Sequence, residues 1–414
     1  MAQERKKRRI VLASILKPVD DTRMYEKMGC TLWQNGDNEV TVIGFPKVQS
    51  SKFEVQSSEF KVQGSEFEVQ GSEFKVQSSG FKVQSSGFGV QGSVAGVRCV
   101  ELPKFRRISF GRFIAKWRVF ANVLQLKPEV FIITTHELLL PAVLLKLFSK
   151  VKVVYDIREN YYRNIIHSGS FPVIIRSVLA SVVRFKEKLL SPFVDHFLLA
   201  EKGYEIEFSF FKRSYTVVEN KAMLLTPRSA PKGKAGNRQS IKLLFSGTLA
   251  ESTGVFRAIE LAKELHKLDH RISLTIIGKA SLKENLDRIK KEVGLHYFIS
   301  LIGGDLLVSH HEINKAIAAS DFGILSYPLL YHTKNSKPTK LFEYLNGGLP
   351  IVLEKQWPWV EQYQKYEPFL LFDFSNPDYE TLLQELLTKS FYPSVPAEIT
   401  WDYEEKAFLE AVLR

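Results

Sequence analysis

The chain has 414 residues, 45 % of them hydrophobic and 25 % charged, which suits two folded domains and excludes a disordered or fibrous protein. Its formal charge of +12 is uneven, with 33 Lys/Arg against 22 Asp/Glu in residues 1–220, so the first half is suited to an anionic partner. Two cysteines, Cys30 and Cys99, exclude a disulfide framework, lack metal-ligand spacing and read as thiols of a reducing, cytoplasmic compartment.

Met1 to Arg9 is basic and Ile10 to Leu16 apolar, the way a signal peptide begins. Lys17 and Asp20-Asp21 follow with no small-residue cleavage site, so the run reads as a first buried strand behind a basic tail. No apolar stretch is long enough to span a bilayer. Further strands are expected at Glu39–Gly44, Val130–Thr134, Val151–Tyr155, His196–Ala200 and Tyr215–Glu219. Helices are expected at Met24–Gln34, Leu138–Phe148 and Ile174–Leu190. Strands alternating with helices predict a parallel sheet covered on both faces.

Residues 46–94 interrupt this pattern. Phe53, Phe60, Phe67, Phe74, Phe81 and Phe88 recur at a period of seven, each followed two positions later by Val and then Gln. Phe and Val at i and i+2 share a strand face, not a helix face, and the Ser, Gly and Gln between them are poor helix formers. The segment reads as a surface insertion, either low-complexity chain or a set of short strands.

Leu225–Ser240, rich in Pro, Lys, Gly and Ser, reads as a linker. The second half repeats the alternation. Strands are expected at Ile241–Ser246, Ile272–Ile277, Phe298–Ile302, Phe322–Tyr327 and Leu349–Leu353. Helices are expected at Val255–Leu268, Leu282–Val293, His311–Ala319, Pro338–Asn346 and Tyr403–Leu413. The expected division is a first Rossmann-like domain over 1–221 containing the insertion, a linker over 222–240, a second over 241–400, and a last helix at 401–414 that could pack back on the first.

In open parallel sheets ligands sit at the carboxyl ends of the strands. In the second half one strand ends in Gly247 and Thr248, before Ser252-Thr253-Gly254 opens a helix, and the next ends in Gly278. Glycine there admits close approach by a ligand, and the helix N-terminus offers N–H groups to a phosphate. Pro338 suits the first turn of a helix in which Lys340 and Glu343 share a face. Such a lysine can meet a diphosphate, and a carboxylate one turn deeper can accept two ribose hydroxyls. A local ion pair on a helix capped by Gly347 would show the same spacing.

The run Pro338-Thr339-Lys340-Leu341-Phe342-Glu343-Tyr344, continuing through Gly348-Leu349-Pro350-Ile351-Val352, is similar to the nucleotide-sugar signature of glycosyltransferase family 4. Other pieces agree in order: Asp21-Thr22-Arg23, Lys127-Pro128-Glu129-Val130 with His136-Glu137, Tyr155-Asp156-Ile157-Arg158-Glu159, Val217-Val218-Glu219-Asn220 and Ser320-Asp321-Phe322-Gly323. The resemblance implies the GT-B fold, two doubly wound domains facing a cleft, and transfer with retention from a nucleoside-diphosphate sugar without a bound metal or permanent cofactor. It implies that Gly247, Thr248, Thr253, Gly254, Gly278, Lys340, Leu341 and Glu343 hold the donor, and that His136 faces the donor sugar from the acceptor side.

The sequence also departs from that pattern. Thr248 and Thr253 stand where the family places basic residues, Asn335 replaces the first carboxylate of a paired acidic motif, and Arg158 stands where histidine is frequent. Arg257 lies one turn too late to serve for either threonine. The expected activity is hexosyl transfer to a cell-envelope or lipid-linked glycan. The rival readings are an inactive GT-B partner subunit of a polysaccharide assembly system and a sugar-nucleotide epimerase. No nucleic-acid motif accompanies the basic first half. The anionic inner face of a membrane fits better, because basic and apolar residues alternate, as in Phe105-Arg106-Arg107-Ile108-Ser109-Phe110. Helices with a solvated basic face would read the same way.

Overall fold

The computed structural model describes residues 7–47, 96–105, 109–167, 172–211, 213–223, 238–328, 336–394, 396 and 398–414. The Phe-Val-Gln repeat, most of the linker and Asn335 lie outside them.

The first sheet contains β1 (Arg8–Pro18), β2 (Asn38–Phe45), β3 (Arg98–Glu101), β4 (Val130–Ile133), β5 (Lys152–Ile157), β6 (His196–Leu199) and β7 (Tyr215–Val217), all parallel, in the order β3-β2-β1-β4-β5-β6-β7. The second contains β8 (Ile241–Leu249), β9 (Ile272–Ala280), β10 (Ile299–Gly304), β11 (Phe322–Leu325), β12 (Ile351–Glu354) and β13 (Phe369–Phe372), also parallel, in the order β10-β9-β8-β11-β12-β13. Both orders run outward for three strands and then return to place the fourth beside the first, which opens a crevice at the carboxyl ends beside β1 and β8. The central strands, such as β4 and β12, are buried on both faces, hence their β-branched and leucine runs, while the edge strands β3 and β7 are partly exposed.

The helices of the first half are α1 (Cys30–Gln34), α2 (Phe110–Leu126), α3 (Leu139–Phe148), α4 (Tyr161–His167), α5 (Val173–Leu190) and α6 (Tyr204–Glu207). Those of the second are α7 (Val255–Leu268), α8 (Lys283–Leu295), α9 (His310–Ala319), α10 (Thr339–Gly347), α11 (Tyr379–Thr388) and α12 (Asp402–Leu413). The expected helix at Met24–Gln34 is instead a π-helical stretch, Thr22–Gly29, running into α1. Asp21 caps it by accepting a hydrogen bond from the Met24 N–H.

Helix α2 has no counterpart among the expected elements. It buries Ala115, Val119 and Val123, one stripe four residues apart, while its phenylalanines and Ile114 blur that stripe in the sequence. The α12 helix returns to the first sheet. Trp401, Phe408, Ala411 and Val412 join the core formed by Ile10, Leu12, Ile132, Val154 and Leu198. The Arg8 guanidinium donates to the Leu413 carbonyl at 2.8 Å and Lys152 to that of Ala411 at 2.8 Å, closing the helix's C-terminal end with cations.

Candidate active site

Near the carboxyl edge of the second sheet three strands carry aligned glycines, each within two residues of its strand's end. Gly247 pairs with Gly278, and Gly278 with Gly303. All three have positive φ, at 105°, 149° and 91°. A Cβ on Gly278 would lie 1.7 Å from the Gly247 carbonyl oxygen, and one on Gly303 2.6 Å from that of Gly278. The strand ends therefore meet backbone to backbone, a shelf that only glycine permits. Lys340 lies across it, because a Cβ on Gly247 would fall 2.0 Å from its Nζ. Gly254, with φ of 82°, brings the N-terminus of α7 against the end of β11: a Cβ there would sit 1.9 Å from the Ser326 carbonyl oxygen, and the Ser326 hydroxyl donates to the Gly254 carbonyl at 2.7 Å.

Burial disfavours the Lys340 ammonium, but the Tyr327 hydroxyl and the Glu343 carboxylate outweigh it and hold its pKa above the ordinary value. A cation therefore stands at the strand ends, one helical turn from a carboxylate. Glu343 is 3.9 Å from His310 Nε2, and His310 Nδ1 is 3.1 Å from Glu26 of the first domain. Lys27, buried in the first domain, donates to Asn220 Oδ1 at 2.7 Å, and Asn220 donates to Thr339 Oγ1 at 3.2 Å. Burial and the nearby Arg23 lower the Lys27 pKa to about 7, with Glu343 pulling the other way.

The remaining sequence-predicted donor residues are less direct. Leu341 is fully buried in the hydrophobic core and its N–H donates to the Pro338 carbonyl at 2.9 Å, so the structure does not present it to a ligand. Thr248 is exposed on β8. The Thr253 hydroxyl is engaged with its own loop, lying 2.7 Å from the Thr248 carbonyl and 2.8 Å from that of Ala250 and accepting from the Ala250 N–H at 3.2 Å. Arg257 pairs with Glu354 at 3.9 Å rather than standing in for a threonine.

His136 occupies a separate place. It lines a cavity of about 440 Å³ in the first domain, walled by Phe113, Ile165, Leu179 and Val183, with Arg112 and Lys116 among its polar residues. Lys186 Nζ is 2.6 Å from His136 Nδ1, and Nε2 is 3.4 Å from Glu137 Oε1. Glu137 is paired with Arg112. Burial lowers the His136 pKa to about 3, against the pull of Glu137. An ammonium donating to Nδ1 places the ring proton on Nε2. His136 is thus a neutral imidazole and, at Nε2, a hydrogen-bond donor rather than a base.

Two of the family-like segments meet each other. Arg158 donates to Asp21 at 2.7 and 3.1 Å, and Arg23 to Asp156 at 2.7 and 3.0 Å, the latter pair fully buried. Burial would raise the Asp21 pKa, but Arg158 brings it down to about 2. Arg158, in the place where histidine is frequent, is therefore the counter-ion of Asp21. Beside these pairs a cavity of about 210 Å³ is lined by Lys17, Arg23, Arg158, Asn220 and Lys337 together with Glu159, Glu201 and Glu219, and the buried Arg23 Nη1 has no hydrogen-bond partner.

No family model matches the sequence and no curated protein matches it. Solved structures do. Sucrose-phosphate synthase from Thermosynechococcus elongatus superposes with a TM-score of 0.59 at 13 % identity, covering 98 % of this chain and 95 % of that one. A UDP-forming α,α-trehalose-phosphate synthase from Burkholderia xenovorans gives 0.56 at 12 % identity, covering 98 % of each chain. WaaG, a glycosyltransferase involved in lipopolysaccharide biosynthesis, gives 0.56 at 11 % identity, covering 97 % and 95 %. The fold is GT-B. The superposition spans both sheets of each neighbour, and at these identities it speaks to architecture alone.

Of the sequence-predicted residues, the second GT-B domain brings Gly247, Gly278, Gly254, Lys340 and Glu343 to one edge, while His136 keeps company with first-domain residues. Sequence reading missed Gly303, although a third strand ending in glycine was visible. It also missed Lys27 and His310, whose local contexts carry no signal of the partners they meet across the molecule.

Proposed function

We propose that the protein is a retaining glycosyltransferase, working at the cytosolic face of the cell envelope, that moves a hexose-type sugar from a nucleoside-diphosphate sugar to a cell-envelope or lipid-linked glycan. The observation that carries this reading is Lys340 lying across the Gly247–Gly278 shelf with Glu343 one turn deeper and the N-terminus of α7 alongside. As the bond from the anomeric carbon to the diphosphate breaks, the electron pair stays on the leaving oxygen. A fixed ammonium and a helix N-terminus stabilise that charge without reorganising. Glu343 accepts hydroxyl hydrogens from the ribose, which requires His310 to yield its place. The names of the structural neighbours, one of them UDP-forming, support a sugar-nucleotide donor and make UDP the first nucleotide to try.

Calorimetric titration of UDP, GDP, ADP and CMP into the wild type and Glu343→Ala tests the reading. One nucleotide should bind, and the substitution should weaken it at least tenfold, roughly 1.4 kcal/mol or more. Absence of binding by all four would overturn the reading. Binding with no turnover of any donor would favour the inactive partner subunit, for which the threonines at 248 and 253 are the motive.

A further inference from the structure

Helices α2 and α5 flank the 440 Å³ cavity and carry an unusual surface. On α5, Ile174, Val178, Val182, Phe185 and Leu189 follow at spacings of four, four, three and four residues, all exposed; Ile174 is 90 % and Phe185 67 % accessible. One face of a helix thus presents an apolar stripe to solvent, where a soluble helix would present polar groups. On α2, Phe110 and Phe113 are also exposed and stack on each other at 5.8 Å. The charges around the stripe have one sign. The α2 helix carries Lys116 and Arg118 and no carboxylate, and α5 carries Arg176 and Lys188; the other cations face inward, Arg112 paired with Glu137, Arg184 with Glu187 at 3.5 Å, and Lys186 2.6 Å from His136. The one carboxylate of α5, Glu187, is buried and accepts a hydrogen bond from Tyr155 at 3.1 Å. Leu179 and Val183, beside the stripe on α5, line the cavity together with Lys116, His136, the Arg112–Glu137 pair and Glu159, which pairs with Lys17. The apolar stripe thereby borders a pocket whose wall carries Lys116 beside the Arg112–Glu137 pair. Among the described residues no helix is long and apolar enough to cross a membrane.

We propose that the α2–α5 face docks on an anionic phospholipid bilayer and that the cavity between these helices admits the head of an amphiphilic, anionic acceptor drawn from that bilayer. Charge complementarity decides for a lipid surface over a second copy of this chain, since two such cationic faces would repel each other. Apolar side chains on one stripe with basic residues beside it are the pattern of a helix lying in the headgroup layer. The acceptor half of the proposal rests on the glycosyltransferase reading; the docking half does not.

The test is flotation with vesicles of three parts phosphatidylcholine to one part phosphatidylglycerol, and with phosphatidylcholine alone. The wild type should float with the mixed vesicles, weakly with the neutral ones, and lose binding as salt approaches about 1 M, where the Debye length is about 3 Å. The variant Ile174→Ser/Val178→Ser/Phe185→Ser changes only exposed positions and should partition at least tenfold less while binding nucleotide as the wild type does. A wild type indifferent to phosphatidylglycerol, or a variant that floats equally well, would overturn the docking. So would concentration-dependent dimerisation abolished by the same variant without vesicle binding, which would give the face to a second copy. For the cavity, dodecyl phosphate is the probe: Leu179→Trp should weaken its binding at least tenfold, and equal binding would overturn that half. Flotation retained in a protein that binds no nucleotide would leave the docking standing and sink the transferase reading.

Discussion

The two sheets share a winding order, yet their open edges are built differently. In the second domain the edge is a backbone construction. Three glycines abut with no room for a Cβ, and one lysine stem lies over them. In the first domain the edge is a side-chain construction, with buried ion pairs between Asp21 and Arg158 and between Arg23 and Asp156 and a neutral histidine held by Lys186. A backbone shelf leaves a mark in the sequence, because each position must be glycine. A side-chain network leaves almost none, because Asp, Arg, His and Lys occur everywhere and only the fold says which of them meet.

The sharpest way to break the contrast is to add one methyl group to the shelf. Gly278→Ala places a carbon 1.7 Å from a backbone oxygen at a positive φ, so the strands must part. A loss of about 3 kcal/mol or more is expected in urea unfolding, with nucleotide binding abolished. Gly294, in α8 with nothing within 4 Å of its would-be Cβ, is the control. There alanine should leave stability unchanged or raise it by up to about 1 kcal/mol. Equal behaviour of the two variants would mean the shelf is not tight.

How far the sequence could be read follows the same division. The alternation of β-branched runs with helical patterns made both parallel sheets legible, and Pro338, Lys340 and Glu343 together marked the α10 helix and its open end. The α2 helix escaped because Phe110, Phe113, Ile114 and Leu124 put apolar side chains on the exposed face opposite a narrow buried stripe, so no clean period remained. The β13 strand and α11 escaped within a stretch dense in aromatics and acids. Glu26, Lys27 and His310 escaped for a different reason. Glu26 and His310 are 284 positions apart and meet across the molecule, and no local rule of spacing reports such a contact.

A moderate effect is expected from pH, and it belongs to the side-chain edge. His136 has a folded pKa lowered to about 3, against roughly 6.5 when unfolded. Between those values the unfolded chain binds the extra proton, so stability rises with pH through that window. The contribution is fully present above about 6.5 and is lost as pH falls toward 3. From pH 7 to pH 5 this one group should cost the wild type about 2 kcal/mol. His136→Gln should be less stable at pH 7 but show a shallower decline, measured as urea midpoints at the two values. Parallel declines would mean that the imidazole is not held neutral by burial.

The smallest effect expected is at Thr253, and it sharpens the comparison from the donor side. The hydroxyl now serves its own loop, against the carbonyls of Thr248 and Ala250. Thr253→Lys removes that staple, at a cost of about 1 kcal/mol in stability, and places an ammonium beside the N-terminus of α7. If this edge receives a diphosphate, the added cation should tighten nucleoside diphosphate about fivefold, close to 1 kcal/mol, with less effect on the unphosphorylated nucleoside. The gain should shrink with added salt, because the new charge is exposed. A lysine that leaves diphosphate affinity unchanged would mean that the phosphates do not pass this loop. Lys340, alone over the glycines, would then have to hold them.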